Sequence, residues 1–166
     1  MLVFAGLTSA SAQSNRSVYS SLEEKRCRKI KSPNVDEDDY EIRCRGAAGY
    51  TLVVTEGDLR QNITVVTPKG VEHSLDLWDV VSGGFSYVGP RAEWRLVNKR
   101  PIAFIIRYNA SEDPEKPDKK TSYLVVTKIT ATEICVTDKI TPSASANEVA
   151  RRAANTATTR PCLKQN

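Results

Sequence analysis

The chain has 166 residues, 40% of them apolar and 27% charged, and a net charge of +4. A domain of this size buries roughly 70% of its unfolded surface, so the composition supports one packed core and excludes a disordered chain. The charge is too small for a nucleic-acid binder, where a domain pI above ~9 with a concentrated basic face is expected. No apolar run approaches the ~20 residues of a membrane-spanning helix.

The chain opens on a short apolar run, Leu2 to Leu7. Small residues follow, with Ala10-Ser11-Ala12 in the small-x-small pattern cut by signal peptidase. Residues 1–12 are expected to be the remnant of a signal peptide. Residues 13–166 are expected to form one disulfide-bonded β domain. Four cysteines agree with export: Cys27, Cys44, Cys135 and Cys162. None is spaced C-x-x-C, so they predict disulfides and no metal site.

Arg26-Cys27-Arg28 and Arg43-Cys44-Arg45 flank a loop holding Pro33 and the acidic run Asp36 to Asp39. This reads as a hairpin closed by Cys27–Cys44. Strand side chains alternate faces. With both cysteines inward, Arg26, Arg28, Arg43 and Arg45 all face outward together. Like charges side by side cost energy unless offset. Either the acidic loop folds back over them, or an external anion such as a phosphate, sulfate or acidic glycan does.

Tyr50, Leu52 and Val54 alternate with Thr51, Val53 and Thr55 in a strand. Glu56-Gly57-Asp58 turns the chain into a return strand with Ile63 and Val65 inward. Thr67-Pro68-Lys69-Gly70 is a second turn. In the stretch after His73, Leu75, Trp78 and Val81 fall at helical spacing. Ser74 is placed to cap a short helix, with Trp78 expected in the core.

Ala92, Trp94 and Leu96 alternate with Glu93, Arg95 and Val97. Ile102, Phe104, Ile106 and Tyr108 share a face, with Ala103 and Ile105 on the other. Apolar residues on both faces predict a central strand. A charged loop from Glu112 to Lys120 leads to two last strands, Tyr123–Ile129 and Ile134–Ile140. Ser145-Ala146-Asn147-Glu148 has the form of a capping box. Ala146, Val149, Ala150, Ala153, Ala154 and Ala157 then line one helical face. Cys162 is placed to pin that helix to Cys135. Cys27–Cys44 with Cys135–Cys162 is the favoured pairing; two crossed pairings stay open. Short strands at regular spacing predict a mainly β fold: an antiparallel β-sandwich or flattened barrel, with one short helix and a C-terminal helix.

Catalytic patterns are sparse. His73 is the one histidine. It could be grouped with Ser82 and Asp76 or Asp79, but no G-x-S-x-G elbow is present. Asp76, Asp79 and Glu93 could supply paired carboxylates, though spacing alone does not support it. No cofactor is indicated. Ser82 to Gly89 reads as a loop whose Phe85 and Tyr87 either pack inward or form a recognition surface.

Ser82-Gly83 followed by Tyr87, in a small disulfide-bonded β protein, weakly resembles periplasmic lysozyme inhibitors. These place a Ser-Gly-x-x-Tyr loop in an enzyme cleft; here one more residue intervenes. Glu56-Gly57-Asp58-Leu59-Arg60-Gln61, Thr67-Pro68-Lys69-Gly70, Leu75-Asp76-Leu77-Trp78 and Thr121-Ser122-Tyr123-Leu124-Val125-Val126 resemble segments of small exported bacterial proteins of unassigned function. That resemblance implies periplasmic or secreted residence and no activity.

The expected function is that of an exported non-enzymatic binding or structural protein of the bacterial envelope. Its expected partner is an envelope protein or an anionic glycan. The candidate contact residues are Arg26, Arg28, Arg43, Arg45, Ser82, Phe85 and Tyr87. The alternative is an inhibitor that plugs a hydrolase such as lysozyme.

Overall fold

The computed structural model describes residues 16–30 and 40–165. The expected leader and the acidic run Asp36 to Asp39 lie outside the described residues. Ten strands follow in order: β1 (Arg16–Ser21), β2 (Arg28–Lys29), β3 (Tyr40–Arg45), β4 (Thr51–Gly57), β5 (Arg60–Val66), β6 (Glu72–Ser74), β7 (Ser86–Val97), β8 (Arg100–Ser111), β9 (Lys120–Ile129) and β10 (Ile134–Ile140). The helices are α1 (Leu77–Val80) and α2 (Ala146–Asn155). The mainly β fold, with one short and one C-terminal helix, is the expected one.

All ten strands belong to one hydrogen-bonded sheet, ordered β10-β9-β8-β7-β5-β4-β3-β2, with β1 on β7 and β6 on β5. The ends of that order do not meet, so the sheet is not closed into a barrel. It is also mixed. Among the described residues every pairing is antiparallel except β5 with β7, which meet in parallel at Arg60 and Ser86.

The sheet buries a different cluster on each face. One face gathers Ile42, Leu52, Val54, Ile63 and Val65 from β3–β5 with Trp94, Phe104, Ile106 and Tyr108 from β7 and β8. The other packs Ala103, Ile105, Leu124 and Val126 under Ala146, Ala150, Ala153 and Ala154 of α2. Strand β8 therefore contributes to both, as a central strand does. Trp94 is fully buried; its Nε1–H donates to Ser20 Oγ at 2.8 Å and its ring lies 5.0 Å from that of Phe104.

Two local readings are corrected. Trp78 is 45% exposed, not in the core. The helix begins two residues later than expected, after Asp76 in a left-handed conformation rather than after Ser74, and Leu77 N–H donates to Asn62 Oδ1 at 3.0 Å. Leu77 and Val81, four residues apart, take the buried face. The capping box does not form either. Ser145 sits at φ −101° and ψ 6°, outside the extended region an N-cap residue needs, and its side chain makes no capping bond. Glu148 instead lies 3.7 Å from Arg152, one turn on.

Both favoured disulfides are present, Cys27–Cys44 and Cys135–Cys162. The second anchors the chain after α2, as does Leu163 N–H donating to Val136 O at 2.8 Å. These ties matter because alanine buries little area per residue.

Candidate functional site

The structure divides the expected contact residues among separate places. Arg28 and Arg43 stand directly opposite in the β2–β3 ladder, and Arg45 lies two residues along on the same face. Arg43 pairs with Glu41 at 3.1 Å. Arg26 does not join them. It closes a 3-10 turn, Glu24–Arg26, which ends the alternation before β2 begins. The acidic offset proposed for this cluster lies outside the described residues.

The Ser82–Gly89 segment is only partly a loop, because β7 begins at Ser86. Ser82 is buried, and its Oγ accepts the Gly84 N–H at 3.3 Å. Phe85 and Tyr87 are both exposed; the Arg60 guanidinium sits 5.2 Å from the Phe85 ring centre. Between them Ser86 is buried, its hydroxyl 2.6 Å from that of Tyr108. No hydrogen bond joins His73 to Ser82, Asp76 or Asp79 among the described residues. His73 pairs with Val65 in the β5–β6 ladder, and Asp76 accepts from Ser74. Glu133, Cys135 and Cys162 approach one another, but both sulfurs are in the disulfide and offer no thiolate to a metal.

The richest site lies elsewhere, over an irregularity in β7. Val88 pairs with Tyr108 and Ala92 with Ile106, so Gly89, Pro90 and Arg91 together face the single residue Arg107. This is a β-bulge, and such bulges re-aim side chains. Pro90 fits because it gives no N–H to the ladder; its carbonyl accepts Leu22 N–H at 2.8 Å. Gly89 fits because a Cβ there would lie 2.8 Å from Arg107 Cβ.

A groove of about 640 Å³ runs past the bulge between β1, β7, β8 and α2. Its floor includes Ile105 and Leu124. Its walls carry Arg26, Arg91, Arg107 and Arg151 against Glu23 and Glu93. Glu93 is committed. Arg151 grips it through Nε to Oε1 at 2.8 Å and Nη2 to Oε2 at 3.1 Å, and Ser17 donates to it at 2.6 Å. Burial opposes its ionisation, but the Arg151 and Ser17 hydrogen bonds and the charges of Arg151 and Arg95 outweigh that and hold the carboxyl below its ordinary range. Arg95, itself buried, donates twice to Asn155 Oδ1, at 3.0 and 2.9 Å. Arg26 lies 3.8 Å from Glu23. Arg91 and Arg107 make no ion pair among the described residues. Arg91 lies over the Tyr19 ring at 5.5 Å, and Arg107 donates to Ser122 Oγ at 2.9 Å.

Comparison with protein-family models, curated proteins and solved structures finds no match to this chain. The groove must therefore be read from its own chemistry. Arg26 is the one expected contact residue it contains. Arg91, Arg107, Arg151 and Tyr19 were not foreseen. The signal that could have found them is Gly89-Pro90, two residues that mark a bulge when they fall inside a strand.

Proposed function

We propose that the protein is an exported, non-enzymatic binding protein of the bacterial envelope, periplasmic or secreted, whose site is the arginine groove and whose ligand is anionic. One observation carries this reading. The bulge at Gly89–Arg91 brings Arg91 and Arg107 together in a groove where four arginines face two glutamates. Gathering like charges is unfavourable, and arginine is the side chain best matched to carboxylate, phosphate and sulfate. The two disulfides are compatible with an oxidising compartment.

Calorimetric titration with galacturonate and with inorganic phosphate at low salt tests the site. Binding is expected to weaken by about tenfold or more when Arg91 and Arg107 are both changed to Ala, and to weaken as salt is added. Unchanged affinity in that variant would remove the groove from consideration.

A second reading, a hydrolase inhibitor, is favoured by the exposure of Phe85 and Tyr87. It expects the protein to slow a lysozyme-type enzyme and the Phe85→Ala, Tyr87→Ala variant to lose that effect while staying folded.

A further inference from the structure

We infer that the ligand of this groove is an acidic glycan chain several sugars long, laid across the β7 bulge from α2 toward Tyr87. The inference rests on the anion-binding reading and names its ligand class.

Continuity carries it. A second hollow, of about 440 Å³, shares Glu23, Pro90 and Arg107 with the first and extends it to Tyr40 and Tyr87. Tyr87 pairs with Asn109, two residues from Arg107 on the same face of the sheet. The bulge is thus a saddle within one trough. Each hollow alone falls in the range of roughly 300–1,000 Å³ that holds a compact organic ligand, so the two together offer far more room than one small anion fills.

The side chains along this trough follow a pattern. Tyr19 lies toward one end and Tyr87 toward the other, 54% and 47% exposed, with Arg91 and Arg107 between them. The Tyr87 ring offers a flat apolar face and a hydroxyl, which suits the mixed C–H and hydroxyl surface of a sugar ring. At Tyr19, Arg91 lies over one ring face and Arg151 donates to the hydroxyl at 3.3 Å, so the opposite face is the one left to a ligand. An arginine offers a planar fork for a carboxylate or sulfate on that ring. An acidic peptide fits less well. Extended peptides gain affinity by pairing with a free strand edge. Here the floor includes side chains on a sheet face, Ile105 and Leu124. The one strand that borders it and pairs with β7 alone among the described residues, β1, is short, six residues from Arg16 to Ser21.

The test is calorimetric titration of the full chain with galacturonate, its hexamer, a chondroitin sulfate hexasaccharide and hexaglutamate. At least one hexasaccharide is expected to bind about tenfold or more tighter than galacturonate. Tyr87→Ala should remove most of that gain and leave galacturonate affinity unchanged. If neither hexasaccharide outbinds the monosaccharide, or if Tyr87→Ala has no effect on the gain, the chain-length inference falls. Hexaglutamate matching the hexasaccharides would also overturn it, in favour of an acidic peptide. In each case, galacturonate binding that is lost in the Arg91→Ala, Arg107→Ala variant leaves the anion site standing. Galacturonate binding that survives in that variant overturns both readings.

Discussion

Arg151 of α2 holds Glu93 of β7 through two parallel hydrogen bonds, 2.8 and 3.1 Å long. This fork clamps a helix of small side chains to the sheet. It also occupies the one groove carboxylate deep enough to oppose an incoming anion. Removing the carboxylate leaves Arg95 buried with one charge partner fewer. Glu93→Gln is expected to cost about 1–3 kcal/mol at neutral pH, read by urea unfolding.

That cost should depend on pH. The Glu93 carboxyl is held below its ordinary value of 4.5 in the folded state. Its ionised form stabilises the fold fully above that value, and the contribution disappears as pH falls through the lower folded value. The stability gap between the native protein and Glu93→Gln should be widest near pH 7 and shrink below 4.5. A gap that stays constant down to acid unfolding would contradict the assignment.

Gly46 lies against the buried Trp94. A Cβ at this position would fall 2.5 Å from Trp94 Cζ2. The indole is confined by Phe104 and Tyr50 and by its bond to Ser20, so it has little room to move. Gly46→Ala is expected to destabilise by about 1–3 kcal/mol, as overpacking does, with a shift in tryptophan emission. Equilibrium unfolding followed by fluorescence measures both.

The Cys135–Cys162 bridge closes a separation of 27 residues. Loop-closure entropy makes it worth about 3.5 kcal/mol. Replacing both cysteines with Ser should lower stability by that order, with amide exchange accelerated first in α2, whose alanines bury little area. The oxidised protein should show no thiol reactive to a colorimetric reagent until it is reduced.

Tyr123 is expected to ionise late. Burial and the nearby Glu112 carboxylate, which accepts its hydroxyl at 2.7 Å, push its pKa up to about 12. The neutral phenol therefore stabilises the fold fully below its ordinary value of 10.0, and that contribution is lost as pH rises toward 12. In an ultraviolet titration Glu112→Gln should move this transition down. Retention of the high value would point to burial alone.

Period-two patterns explain why so much of the sheet could be read beforehand. Ile63 with Val65, and Phe104 with Ile106, declare their faces without help from distant residues. The favoured disulfides were legible on two different grounds: Cys27 and Cys44 flank a loop read as a hairpin, and Cys162 follows a helix that had to be tied back to the last strand at Cys135. What escaped depends on register or on tertiary contact. Trp78 and Leu77 are both apolar, and which of them turns inward follows from where the helix starts, set by the left-handed Asp76 and by the bond from Leu77 N–H to Asn62. Arg26 belongs to a 3-10 turn, whose side chains do not follow the alternation assumed for a strand. The candidate site was the least legible part. Arg91, Arg107 and Arg151 come from three elements, and a bulge that shifts register by two residues brings the first two together. Arginines in strands look like ordinary solvated charges until that shift is known.

The parallel contact between β5 and β7 divides the sheet into two blocks, and each covalent bridge lies wholly within one block. Oxidation thus knits each block internally without riveting one to the other. Across the boundary the union depends on shared core packing and on a few bonds, such as Val88 N–H to Gln61 Oε1 at 2.9 Å. The fracture line of this molecule is drawn where the sulfur does not reach.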